Sequence, residues 1–219
     1  MPWQPGPAAL KLGHEVALDL PADFQFLAMP HAGQLMEKMG NLGNENLLGL
    51  VVSSRQKDEF FLILSYDGKG FVKDDEEVEA DDILEEIQDG EEDYKEARKE
   101  HGFGPIHVDG WFESPKYDKA AHHLVWGLNV RAENATSLNY DTRILGRRGY
   151  ASVNLVTDQA HLAHDKLAGA TILRATHFQD GGRYQDFNED TDKWPSTGSP
   201  VWSSAALVSD SPRLQRSVC

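Results

Sequence analysis

The sequence predicts an α+β domain, an antiparallel sheet with helices packed on it. Two observations carry this. Strand-like runs of alternating or continuous apolar residues, bounded by Gly, Pro and Asn, recur through the chain as far as the tail that begins at Trp194. They cluster around two longer helical stretches without the strand–helix–strand alternation that builds a parallel sheet. A chain of 219 residues, 40% hydrophobic, is long enough to bury one sizeable core.

Taken in order, "HEVALDLP" alternates, with Val16, Leu18 and Leu20 on one face of a half-buried strand. "AGQLMEKMGN" reads as a short helix closed by Gly40 and Asn41. "FFLILSYDGKGFV" reads as a hairpin about Asp67-Gly68. "ADDILEEIQDGEEDYKEARKEHG" reads as one helix. Asp82 and Glu85 stand in capping-box spacing, Ile83, Ile87, Gly90, Tyr94 and Ala97 form the inward stripe, and the acidic residues face water. "IHVDGWF", "HHLVWGLNV", "SLNYDTRILG" and "GYASVNLV" are strands. Leu124, Trp126, Leu128 and Val130 alternate in one, Leu138, Tyr140, Thr142 and Ile144 in the next, and "AENATS" is a hairpin loop between them. A helix is expected over about 159–178 with Ala163, Leu167 and Ala170 inward. "QDGGRYQDF" is a turn into a final short element.

Charge excludes one class of partner. Of the net charge of −15, the stretch Asp74–Glu100 holds 15 acidic residues against Lys95, Arg98 and Lys99, a local −12. Such a surface repels phosphate backbones, so no nucleic-acid partner is expected, and a solvated helix face accounts for the run. The single cysteine, Cys219, leaves no disulfide framework.

The motifs for chemistry are sparse. His122 and His123 are adjacent on a strand and point to opposite faces, while His161 and His164 share a helix face without a third ligand, so no metal site is expected. "DDEEVEADDILE" lacks the glycine of a calcium loop, and "LGRRGY" leads into a strand rather than a helix, so it is not a phosphate cradle. No cofactor is expected. The distinctive words are "GWFESPKYD", "LNYDTRILGRRGY" and "GGRYQDFNEDTDK". From them Trp111, Tyr117, Asp118, Tyr140, Arg143, Arg147, Tyr184 and Asp186 form a candidate polar-aromatic groove. The competing account is that these residues shape turns and fill the core.

These words, with "WQPGP", "LPADFQFL", "GFVKDDEEVEADDIL" and "HHLVWGL", resemble a bacterial family of membrane-anchored proteins, domain-of-unknown-function family 2167, over nearly all of residues 3–193. The resemblance implies a signal peptide before the region and one or two membrane spans after it, and it carries over no activity and no catalytic residue. This chain departs from that pattern at both ends. A PsbP/Mog1-like arrangement is the expected architecture.

The domain is expected to occupy 1–193. From Trp194 the chain reads "WPSTGSPVWSSAALVSDSPRLQRSVC", without helical or strand period. A reading frame shifted one base upstream, with one consistent choice of third bases, encodes VAEYGLAGLVVGGAGLGFAAAAAVGL instead. That is an uncharged apolar run of about 20 residues after its opening, long enough to span a bilayer. Residues 194–219 are therefore read as the disordered, frame-shifted remnant of a membrane helix. The expected function is a non-enzymatic binding or interaction domain of the bacterial envelope, anchored on the extracytoplasmic side in its family, with an unknown protein or envelope ligand as partner. The alternatives are an enzyme acting on a carbohydrate or envelope component, and a structural docking subunit that uses the acidic helix.

Overall fold

The structure, a computed structural model, describes residues 1–74, 79–132 and 135–192. Among the described residues, eleven strands and four helices run in the order β1 (Gln4–Pro5), β2 (Ala8–Leu12), β3 (Val16–Leu20), β4 (Phe24–Ala28), α1 (His31–Lys38), β5 (Leu47–Ser53), β6 (Phe61–Asp67), α2 (Ala80–Asp89), α3 (Glu91–Glu100), β7 (Ile106–Asp118), β8 (His123–Ala132), β9 (Ala135–Leu145), β10 (Tyr150–Thr157), α4 (Leu162–Ala175) and β11 (Thr176–Phe178). A 3-10 turn, Tyr184–Asp186, follows. Eight strands form one antiparallel sheet in the order β1-β4-β5-β6-β10-β9-β8-β7, and a smaller sheet runs β11-β3-β2. The α+β class and the antiparallel sheet are as the sequence predicts.

One face of the large sheet is closed by the small sheet and α4. Val16, Leu18 and Leu20 of β3 meet Leu62 and Leu64 of β6, Val153 and Leu155 of β10, and Ile172 of α4 in one apolar cluster. The other face is closed at its two ends by separate helical units. The first helix lays Ala32 and Met36 on Leu27, Leu50 and Ile63. Ile83 and Ile87 of α2 pack with Ile106, Val108, Trp126, Leu128 and Val130 of the β7–β8 end. Strands β9 and β10 are thus central in the sheet and covered on both faces, and every residue of β10 is buried.

Four local expectations are corrected. The long acidic helix is two helices broken at Gly90, because Glu91 turns inward and its carboxylate accepts the Val108 amide. Glu91 is buried although the rest of the run is largely exposed, and the first helix starts at Ala80, two residues ahead of the expected cap at Asp82. Asp67-Gly68 makes a turn, with the Lys69 amide donating to the Asp67 carboxylate at 3.0 Å, but no strand returns. Beside Asp67 lies Tyr150 of β10, and a β-carbon on Gly149 would stand 1.8 Å from the Asp67 carbonyl oxygen. That close approach is what "LGRRGY" provides.

Helix α4 is rotated from its expected phase, and residues 176–178 form β11 instead of a last helical turn. Ile172 and Asp165 are buried, whereas Leu167 is 70% exposed and Ala163 is exposed. A buried hydrogen bond decides this: the Thr157 hydroxyl donates to Asp165, and the His164 ring lies 2.9 Å from the other carboxylate oxygen. Residues 194–219, and with them the expected remnant of a membrane helix, lie outside the described residues. Among the described residues no helix is long and apolar enough to cross a membrane.

Ile172→Ala is expected to destabilise the domain by about 2–5 kcal/mol through the cavity it leaves. Leu167→Ala on the same helix should change stability by no more than about 0.5 kcal/mol. Paired denaturant titrations read both.

Candidate functional site

Strand alternation sorts the candidate groove residues. Tyr140 and Arg143 stand three apart on β9, an odd separation, so they point to opposite faces. Tyr140 packs against the small-sheet side, with the Lys166 ammonium 3.8 Å from its ring centre. On the helix-covered face, register aligns Tyr117 with Leu124 and Leu124 with Arg143, while Trp111 pairs with Leu128. Trp111 is spent on packing, and its indole donates to the Ala80 carbonyl and pins the start of α2. Asp118 accepts from the Ala120 and Ala121 amides and closes the β7–β8 turn. Asp186 accepts from the Arg183 amide in the final 3-10 turn. Arg147 holds Asp192 in a two-point ion pair at 2.8 and 3.0 Å and also donates to the Gly181 carbonyl. The eight residues therefore do not line one groove. Two smaller constellations are formed instead.

The first joins Tyr117 and Tyr184 through two residues that the sequence reading did not pair with them. The Tyr117 hydroxyl donates to Asp74 at 2.9 Å, and its oxygen lies 3.2 Å from Nδ1 of His122. His122 and Asp74 are 3.4 Å apart. The imidazole stacks on the Tyr184 ring at 4.0 Å, which in turn meets Phe71 at 4.7 Å. His122 sits at φ +53°, a left-handed backbone that costs a non-glycine residue roughly 1–2 kcal/mol. Burial alone would raise the Asp74 carboxyl. The hydroxyls of Tyr117 and Tyr184 donating to it, with Lys119 and His122 nearby, more than offset that and hold it below its ordinary value. Burial and the Asp74 charge together push the Tyr117 phenol up. Adjacent His123 is only partly buried, and desolvation lowers its pKa.

The second constellation is a polar row across the middle of the sheet. Ser137, Asn139, Asp141 and Arg143 alternate along β9, and Ser152 and Asn154 continue the pattern on β10, each no more than 5% exposed. Asp141 lies between Trp126 of β8 and Asn154 of β10 in register, and the Ser152 hydroxyl donates to it at 2.6 Å. The Arg143 guanidinium is placed 4.9 Å from the Trp126 ring and 4.2 Å from the Tyr150 ring, and Tyr150 donates to Asp67. Two side chains stand out. Both amide atoms of Asn154 and the indole nitrogen of Trp126, each residue 1% exposed, have no hydrogen-bond partner among the described residues. Leaving a buried polar group unpaired costs about 1–3 kcal/mol.

Sequence reasoning missed this row because alternating polar residues on a strand ordinarily face water. The available signal was that Ser152 and Asn154 interrupt an otherwise apolar β10. Elsewhere, a cleft of about 450 Å³ lies between α4 and the ends of β4 and β5, walled by Phe24, Phe60 and Leu167, with the exposed Arg55–Asp23 ion pair at 2.8 Å on its rim. His161 and His164 each face their own carboxylate, Asp158 and Asp165.

Because the folded Asp74 pKa is depressed, its contribution to stability is complete above the unfolded value of about 4 and is lost as pH falls through the lower folded value. Asp74→Asn is expected to remove that component. Thermal melts taken at falling pH should show a shallower acid limb in the variant than in the parent.

Among curated proteins none matches the chain. Of solved structures, the solution structure of cyanobacterial PsbP (CyanoP) from Synechocystis sp. PCC 6803 is similar, at 9% identity and a TM-score of 0.47, over 75% of this chain and 86% of that one. The sequence profile described as "Protein of unknown function (DUF2167)" matches residues 4–209, and the chain belongs to that family.

Proposed function

We propose that the chain is a non-enzymatic binding domain of the bacterial envelope, attached to the membrane in its family and working on the extracytoplasmic side. One observation supports binding above the rest. In the buried row at the middle of the sheet, Trp126 and Asn154 hold out hydrogen-bonding atoms that no described residue engages. Strands that are covered on both faces fix those atoms in place, as recognition of a bound molecule requires. The family resemblance is what supports membrane attachment. In this reading residues 1–193 are the domain, and residues 194–219 stand where a membrane helix is encoded in a shifted frame.

One cluster favours a catalytic alternative. Asp74, Tyr117 and His122 bring a carboxylate, a phenol and an imidazole within 3.4 Å of one another, the kinds of group that move protons in hydrolysis of an envelope component. A panel of chromogenic glycosides and esters with peptidoglycan fragments separates the two. The binding reading expects no product beyond the background of Asp74→Asn. Turnover that this substitution abolishes in a folded protein would select the enzyme. For the membrane assignment, resequencing across codons 193 and 194 and downstream is expected to reveal an in-frame apolar Gly/Ala run. A confirmed stop after Cys219 would remove the anchor from this chain.

A further inference from the structure

We infer that the cleft between α4 and the ends of β4 and β5 takes a small organic cation, a primary amine that carries an apolar body. The inference goes beyond the reading above, because it concerns a different part of the domain from the buried row and does not depend on it. The cleft measures about 450 Å³, within the range of small-molecule sites. Its wall joins two kinds of surface. Phe24 and Phe60, each no more than 7% exposed, line it together with Leu167 and Ala168 of α4. Asp23, Arg55, Asp58 and His164 add charged and polar groups.

Two features of the wall point to a guest. Of the large apolar side chains exposed among the described residues, Leu167 is the most exposed, at 70%, and it stands at this cleft. Apolar surface left open beside a concavity marks a place where a partner is received. The second feature is the His164 ring. Buried Asp165 accepts from the Thr157 hydroxyl, and its other carboxylate oxygen lies 2.9 Å from Nδ1 of His164. A carboxylate at Nδ1 fixes the orientation of an imidazole and, in the neutral ring, leaves Nε2 as an acceptor. That ring makes no other hydrogen bond among the described residues.

Charge selects the guest. The cleft holds two carboxylates and one guanidinium. Arg55 is engaged by Asp23 at 2.8 Å. Asp58, partly buried, accepts from the Ser53 hydroxyl at 2.6 Å and has no ion pair among the described residues. Neither Lys57, its exposed neighbour in the chain, nor Arg174, which donates to the Thr171 hydroxyl on α4, pairs with it. Asp58 therefore calls for a positive donor, and Nε2 of His164 for a donor. A primary ammonium supplies three N–H groups and the charge. The apolar body of the guest covers Leu167 and the edges of the two phenylalanines. An anion finds Arg55 already engaged and meets the Asp58 carboxylate. A neutral alcohol leaves the Asp58 charge unbalanced. For a metal ion, no group of three or more His, Cys, Asp or Glu stands together among the described residues.

The test titrates the full chain, labelled with nitrogen-15, with 2-phenylethylamine at about pH 8, where a primary amine is charged. The neutral and anionic analogues are 2-phenylethanol and 3-phenylpropionate. The amine is expected to bind saturably with a Kd of about 1 mM, in keeping with its small size, and to shift the amides of Arg55, Asp58 and Ala168. Both analogues should bind about tenfold more weakly. Asp58→Asn, which keeps an acceptor for Ser53, should weaken the amine about tenfold and leave 2-phenylethanol unchanged. Leu167→Ala should weaken the amine and the alcohol alike, by about threefold. No saturation by about 20 mM amine, equal affinity for the anion, or shifts confined to other parts of the domain overturns the inference. So does a dimer that Leu167→Ala dissociates in light scattering, because a second copy then covers the cleft. If Asp58→Asn fails to fold, Leu167→Ala decides, and undiminished affinity there overturns the inference. Failure on any of these counts leaves the binding-domain reading standing, since that reading rests on the row at the middle of the sheet.

Discussion

An antiparallel sheet can leave one face to water, but the middle of this one is buried on both faces while carrying polar side chains on one of them. That constraint organises the domain. Strands β9 and β10 have neighbours on either side, the small sheet and α4 against one face, and buried surroundings on the other. On the first face the cover is apolar throughout, and burial of Leu62, Leu64, Val153, Leu155 and Ile172 supplies the driving force. On the second face the apolar cover splits toward the two ends, and Ser137, Asn139, Asp141, Arg143, Ser152 and Asn154 lie between. Such a row survives only where its members are hydrogen-bonded, stacked or engaged by something else. Ser152 on Asp141 and Arg143 between two aromatic rings show the first two solutions.

Long-range polar contacts then fix the connecting segments. Asp74, beyond β6, is held on Tyr117, and the turn before β8 is held by His122 on Tyr184. The segment after β11 is held by Arg147 on Asp192, and α3 is held to the end of α1 by Arg98. Each joins positions far apart in the chain, 43 residues for Tyr117 and Asp74 and 58 for Arg98 and Gly40. The distinctive polar-aromatic words of the sequence are largely these ties. Chemistry that looked like a groove is distributed over turns, and the unmet hydrogen-bonding capacity lies deeper, on the strands.

Much of the architecture was legible because burial of one face imposes a period. Val16, Leu18 and Leu20 alternate and are buried, and so are Leu124, Trp126, Leu128 and Val130. The short helix at 31–38 announced itself by its Gly-Asn ending. Where polar residues were buried, the same reasoning failed. Glu91 turned in and broke one helix into two, and Asp165 turned in and rotated α4 so that Leu167 faced out. Periodicity ranks residues by hydrophobicity, and it has no means of marking a carboxylate that has found a donor.

The sequence by itself determined the class of fold, the antiparallel strands of the second half, the absence of an internal disulfide and the family to which the chain belongs, since each depends on local pattern or residue identity. Only the tertiary structure decided which polar residues share a surface. Tyr140 and Arg143, neighbours in one motif, are parted by strand alternation, while Asp74 and Tyr117 are joined across 43 residues. Asn154 and Trp126 became notable only when their strands were flanked and covered, because an unmet hydrogen bond costs nothing in water and a great deal inside a protein.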